Sequence, residues 1–150
     1  MPGHAAGIRW GAVAWYRQNV LLLAVVGIAV LPLAWRGPSC GQDFDFHLQN
    51  WMEVVAHWRA GILYPHWAAS ANYGAGEPRF VFYPPLSWLL GGLLGVVLPW
   101  TWVGFVFTSL ALLGAAWSFR AMAGEWMSEE AASLAACVYA VNPYMLFVAY

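Results

Sequence analysis

Two aspartates, Asp43 and Asp45, are the side chains of this sequence with the most chemistry open to them. A carboxylate can draw a proton from an acceptor hydroxyl as a general base, or hold a divalent cation that bridges to a phosphate. His47 stands one helical turn beyond Asp43, and a carboxylate and an imidazole at that spacing can share a metal ion or orient one another. Asp43 can equally cap a helix, its oxygens accepting free backbone N–H groups at the positive end of the dipole. The two roles are compatible. Further along, Glu77 and Arg79 flank Pro78. The Arg79 guanidinium can pair with the oxygens of a lipid phosphate, or simply anchor the chain at an interface. Asp43, His47 and His57 do not make a complete zinc site, and a solvated or hydrogen-bonded role suits these histidines better. Gly74 and Gly76 do not cradle a phosphate, because no Lys follows and no helix begins where such a loop needs one.

These candidates lie in one segment, residues 36–79, which carries seven of the thirteen charged side chains and three of the four histidines. Its first part, 43–60, reads as an amphipathic helix. Phe44, Leu48, Trp51, Val55 and Trp58 alternate at spacings of four and three, one apolar stripe at helical period. The neighbouring row, Asp43, His47, Asn50, Val54 and His57, is mostly polar, and Gly61 supplies a stop. Such a helix is expected to lie on a membrane surface, aromatic side toward lipid and polar side toward water. In the second part, Gly74, Gly76 and Pro78 exclude a long helix. Its density of aromatic residues and prolines predicts a compact packed loop. The run Phe80-Val81-Phe82-Tyr83-Pro84-Pro85 then leads back toward lipid, its prolines suited to the first turn of a helix.

The remainder of the chain explains why lipid is invoked. Hydrophobic residues make up 62% of the 150 positions and charged ones 9%, against about 25% charged in a soluble domain. A soluble core of this size cannot hide that much apolar surface. Eleven Trp and seven Tyr suit the interfacial belts of a bilayer. All six basic residues are Arg, scattered singly, so no basic patch points to nucleic acid. From Phe80 to Phe119 there is no Asp, Glu, Lys or Arg. A single helix of that length would run about 60 Å, twice the roughly 30 Å hydrocarbon core, so the stretch must fold back, with Pro99 as the natural break.

The expected architecture is therefore all-α and polytopic, with about four transmembrane helices over residues 15–35, 83–98, 100–119 and 131–150. The amphipathic helix falls in the first extracytoplasmic loop, 36–79. The first span reads as retained rather than as a cleaved signal, since Trp35-Arg36-Gly37-Pro38 is a poor cleavage site. Cys40 and Cys137 fall in different settings and are expected as small buried residues, not as a disulfide pair. Arg9 and Arg17 before the first span favour a cytoplasmic N-terminus. With four spans, the acidic hinge bearing Glu125, Glu129 and Glu130 would then face the same side as the loop. The apolar run 131–150 reaches the end of the sequence, which reads as the N-terminal part of a longer membrane protein.

The run Gly41-Gln42-Asp43-Phe44-Asp45-Phe46-His47-Leu48, followed by Gly61-Ile62-Leu63-Tyr64-Pro65-His66-Trp67, Asn72-Tyr73-Gly74-Ala75-Gly76-Glu77-Pro78-Arg79-Phe80, Phe82-Tyr83-Pro84-Pro85-Leu86 and Asn142-Pro143-Tyr144, resembles bacterial integral membrane proteins labelled 6-pyruvoyl-tetrahydropterin synthase-related. The resemblance covers residues 41–150. The label does not describe an activity, since a pterin synthase is a soluble enzyme with a three-histidine zinc site. Those membrane proteins look like members of the GT-C class of polytopic glycosyltransferases. The resemblance implies a location in the cell inner membrane, membrane lipid as a partner, and a sugar on a polyprenyl phosphate as donor. It also implies an acidic residue near the start of the first extracytoplasmic loop, which falls on Asp43 or, close behind, Asp45. His47, Glu77, Arg79 and Tyr83 would then contact substrate. A divalent cation is compatible with this scheme but not specified by the residues. The implied reaction is inverting transfer to an extracytoplasmic acceptor, with the lipid phosphate leaving in line. The competing class is a non-enzymatic membrane protein, a transporter or a polymer-export component. Transporters tend to place polar, broken helices at mid-bilayer, whereas the apolar runs here are nearly free of polar residues.

Overall fold

A computed structural model describes the backbone of residues 4–37 and 43–149, and the side chains of residues 15–37 and 43–146. Cys40 lies outside the described residues. The chain is all-helical: α1 (His4–Arg36), α2 (Phe44–Arg59), a short 3-10 turn (Asn72–Gly74), α3 (Arg79–Phe82), α4 (Pro85–Val97), α5 (Trp100–Ala123), α6 (Glu129–Ala140) and α7 (Pro143–Ala149). Two of these are long and apolar enough to cross a membrane, over Trp15–Arg36 and Trp100–Ala123.

The other two apolar runs differ from expectation, and proline is the reason in both. Pro84 and Pro85 delay the start of α4, and Leu98, held extended at ψ 152° ahead of Pro99, ends it. The resulting 13-residue helix is about 20 Å long, short of the roughly 30 Å hydrocarbon core. The run 131–150 breaks ahead of Pro143. There the Asn142 side chain accepts from Met145 N at 3.0 Å and donates to the Tyr139 carbonyl at 2.6 Å, capping one helix as it closes the other.

The molecule divides into two compact units. One comprises residues 1–31 and 109–149. Its buried residues follow helical spacing: Leu22, Val26 and Val30 on α1, Ala116 and Ala123 on α5, and Ala132, Ala136 and Ala140 on α6. Alanines at every fourth position let backbones approach closely without a polar driving force. Phe119 stacks on Tyr139 with ring centroids 4.5 Å apart. Arg120, near the end of α5, donates to the Gln18 side chain at 2.5 Å and to that of Asn19 at 3.3 Å. Gln18 and Asn19 open the apolar run of α1, so the acidic hinge that follows Arg120 lies at the N-terminal end of that run.

The other unit, residues 32–108, holds the loop, α2, α3 and α4. Its core gathers Trp51, Val54, Ala68, Ala71, Phe80, Trp88 and Val103. Gly91, Gly92 and Gly95 form the face of α4 that receives it. A methyl group on Gly91 would lie 2.2 Å from the Trp51 ring, and one on Gly92 would lie 2.9 Å from Val54. The aromatic stripe of α2 is thus covered by protein, not by lipid as the sequence suggested. Lipid-type surface is instead presented by α4, whose Leu86, Leu93, Val96 and Val97 are exposed.

Candidate functional site

The N-terminal turn of α2 carries the two aspartates. Asp43 occupies the N-cap position; among the described residues its carboxylate makes no capping hydrogen bond, and its backbone carbonyl accepts from His47 N at 3.0 Å. Asp45 sits in the first turn, where a negative charge meets the positive end of the helix. Both side chains are exposed. Residues two apart on a helix point about 200° apart, so the two carboxylates do not form a chelate. Among the described residues no three His, Cys, Asp or Glu side chains converge to hold a metal ion.

Asp43 heads the row His47, Asn50 and Val54. Asn50 and Val54 are buried, at 3% and 0% exposure, so the lower part of this row faces protein rather than water. Buried Asn50 accepts from Arg79 Nη1 at 2.7 Å. The Arg79 Nε donates to Glu77 in a close ion pair, and its guanidinium lies 4.3 Å above the Phe46 ring. Phe46 in turn contacts Tyr83, with centroids 5.2 Å apart, and the edge of His47 at 5.7 Å. Five of the six side chains singled out from the sequence therefore map onto one neighbourhood around Phe46 and the first two turns of α2: Asp43 by helical register, and His47, Glu77, Arg79 and Tyr83 through contacts. Asp45 points away from it, along the exposed row Gln49, Met52 and Arg59. Arg79 is already held by Asn50, Glu77 and Phe46, so its first duty is to join the loop to α2.

The loop itself closes on a bridge between Ala68 and Glu77, whose backbone groups exchange hydrogen bonds at 2.8 and 3.1 Å. Inside it, Asn72, Tyr73 and Gly74 take consecutive left-handed conformations at φ 51°, 58° and 88°. That is unusual for Asn and costly for Tyr. The Asn72 amide donates to Glu77 at 3.2 Å, and Gly76 at φ 76° admits the Trp67 indole where any Cβ would clash at 2.1 Å. Tyr73 is left fully exposed at the tip. The compact packed loop expected from composition is present.

A second clasp holds the same loop. The Glu53 carboxylate accepts from Ala69 N at 2.5 Å, Ser70 N at 3.2 Å and Ser70 Oγ at 2.5 Å. Burial alone pushes this carboxyl up; the Ser70 hydroxyl, the Ser70 and Ala69 amides and the charge of His57 outweigh it and hold it below the ordinary carboxylate value. Neither Glu53 nor Asn50 stood out in the sequence. Glu53 carried one usable signal, an acidic residue on a helix flanked by aromatic stripes. Its partners, sixteen and seventeen positions away, carried none. Set against protein-family models, curated proteins and solved structures, the chain matches none.

Proposed function

We propose that this chain belongs to a GT-C-like membrane glycosyltransferase that moves a sugar from a polyprenyl-phosphate donor to an extracytoplasmic acceptor. The observation that carries the reading is the state of Asp43. Among the described residues its carboxylate is exposed and makes no capping hydrogen bond, yet it heads a helical row that runs into the Asn50–Arg79–Glu77 cluster. A general base needs an uncommitted carboxylate on a scaffold that does not move, and α2 is pinned by α4 on one face and by the Glu53 and Arg79 clasps on another. In this scheme Asp43 takes the acceptor's proton, the acceptor oxygen bonds to the anomeric carbon, and the lipid phosphate leaves with the bonding electrons. In the same scheme the remaining N–H groups of Arg79, with Tyr83 nearby, steady that phosphate.

The membrane arrangement we propose has α1, α5 and the α6–α7 pair as crossings, with α2, the loop and α4 together at the extracytoplasmic surface. Its support is the length of α4 and the Arg120–Gln18 contact, which four crossings would forbid. The N-terminus is cytoplasmic, and the membrane is the inner membrane of a bacterium.

The test replaces Asp43 and Asp45 singly by Asn in the full-length protein, with transfer from a lipid-linked sugar as the readout. Asp43→Asn should lower turnover by roughly 10²- to 10⁴-fold, the usual contribution of a general base, and Asp45→Asn by much less. Unchanged turnover in Asp43→Asn removes the catalytic claim. One observation favours the transporter reading. The α6–α7 break, with its Asn142 caps, lies inside an apolar run, as in discontinuous transporter helices. Loss of substrate flux in Asn142→Ala, with Asp43→Asn unaffected, would decide for it.

A further inference from the structure

A groove of about 860 Å³ runs along residues 15–23, in the middle of α1, in the unit formed by residues 1–31 and 109–149. Its apolar stretch is made by Val20, Leu23 and Trp117, and its polar mouth by Arg120, Glu125 and Glu129. The charges at that mouth are unusual in how they are paired. Arg120 is held by two neutral amides, those of Gln18 and Asn19. Among the described residues neither Glu125 nor Glu129 lies within ion-pair distance of it or of any other cation. The groove therefore presents a fixed cation and two exposed carboxylates separately, above an apolar floor.

We propose that this groove binds an amine-bearing zwitterionic phospholipid of the phosphatidylethanolamine type. The amides spend only part of the Arg120 fork, and its remaining N–H groups suit a phosphate oxygen. Glu125 and Glu129 accept from the primary ammonium of the same headgroup, and an acyl chain lies along Val20, Leu23 and Trp117. Trp15 and Tyr16 at the rim place the mouth at headgroup depth, where amphipathic rings concentrate. An anionic headgroup without an amine satisfies Arg120 alone and leaves the carboxylates facing its negative charge. A trimethylated amine keeps the charge but has no N–H to donate. The site lies at the N-terminal end of the apolar run of α1 and shares no residue with the Asp43 neighbourhood, so it stands or falls independently of sugar transfer.

The experiment is native mass spectrometry of the full chain released from detergent, with equimolar phosphatidylethanolamine, phosphatidylglycerol and phosphatidylcholine in competition. The wild type should retain phosphatidylethanolamine in preference to the other two. The double variant E125Q/E129Q changes exposed positions and keeps the fold, which circular dichroism checks. It should lose that preference by roughly threefold or more, as expected for exposed charge pairs, while retention of phosphatidylglycerol holds or rises. Equal retention of the three lipids by the wild type, a preference that survives in the double variant, or a groove filled by another segment of the chain would each overturn the proposal.

Discussion

At the scale of single residues, the contacts show which polar side chains hold the loop to α2. Arg79 holds: its fork spans Asn50 on α2 and Glu77 in the loop while its plane covers Phe46. A lysine keeps the charge but cannot make two directed bonds and a flat stack at once. Arg79→Lys should therefore lower thermal stability nearly as much as Arg79→Ala, by about 1.5–3 kcal/mol for hydrogen bonds to a charged group. A melt in detergent that shows full rescue by Lys would contradict this geometry. Glu53 sets a pH dependence. Its carboxyl is held below the unfolded value of about 4.3, so its contribution is fully present above that value and is lost as pH falls through the lower folded value. Protease susceptibility of residues 65–78 should rise over that acidic window, and Glu53→Ala should show the same susceptibility already at neutral pH. The proposed base was readable from sequence because a lone aspartate pair after an apolar run is conspicuous. The holding residues were not, because Asn50 meets Arg79 across 29 positions and nothing local marks the partner.

At the scale of elements, α2 was legible almost to the residue. Its stripe repeats at the helical period, and Gly61, at φ 83°, ends it with the paired bonds Gly61 N to Trp58 O and Ile62 N to His57 O. What covers that stripe was not legible. The run Gly91-Gly92-Leu93-Leu94-Gly95 reads equally as a flexible apolar helix or as a lipid-facing one. Only the fold shows that its glycines are the recess for Trp51 and Trp100. Small residues buy close approach at the expense of helix propensity, and here the approach is with an indole. A single methyl should accordingly be felt. Gly91→Ala raises helix propensity in α4, but its Cβ would sit 2.2 Å from Trp51. Overpacking of this kind costs about 1–3 kcal/mol, and the melting temperature should fall. The double variant Gly91→Ala with Trp51→Leu should recover part of that loss. If Gly91→Ala alone stabilises the protein, propensity outweighs packing at this contact, and α4 does not seat against α2 as described.

At the scale of the whole molecule, the question is how many times the chain crosses the bilayer, and hydropathy alone does not settle it for a physical reason. Apolar length was read as crossing length, whereas α4 uses its apolar residues twice, glycines against α2 and leucines and valines outward. Parity then separates the arrangements. If α4 crosses, the loop tip and the acidic hinge share one face of the membrane; if it lies at the surface beside α2, they are on opposite faces. Tyr73 at the tip and Met127 in the hinge are both exposed, and neither makes a hydrogen bond through its side chain among the described residues. Single cysteines at these positions, Tyr73→Cys and Met127→Cys, in a background with Cys40 and Cys137 replaced by Ser and Ala, should react with a membrane-impermeant maleimide from opposite sides of intact cells or inverted vesicles. Tyr73→Cys should label from outside and Met127→Cys only from inside, and Gln18→Ala, which removes one acceptor from Arg120, should leave the sidedness unchanged because crossing is set by length and not by one contact. Labelling of both positions from outside would return α4 to the bilayer. It would also break the Arg120–Gln18 contact that places the hinge, since no folding of a four-crossing chain brings those two residues to one face.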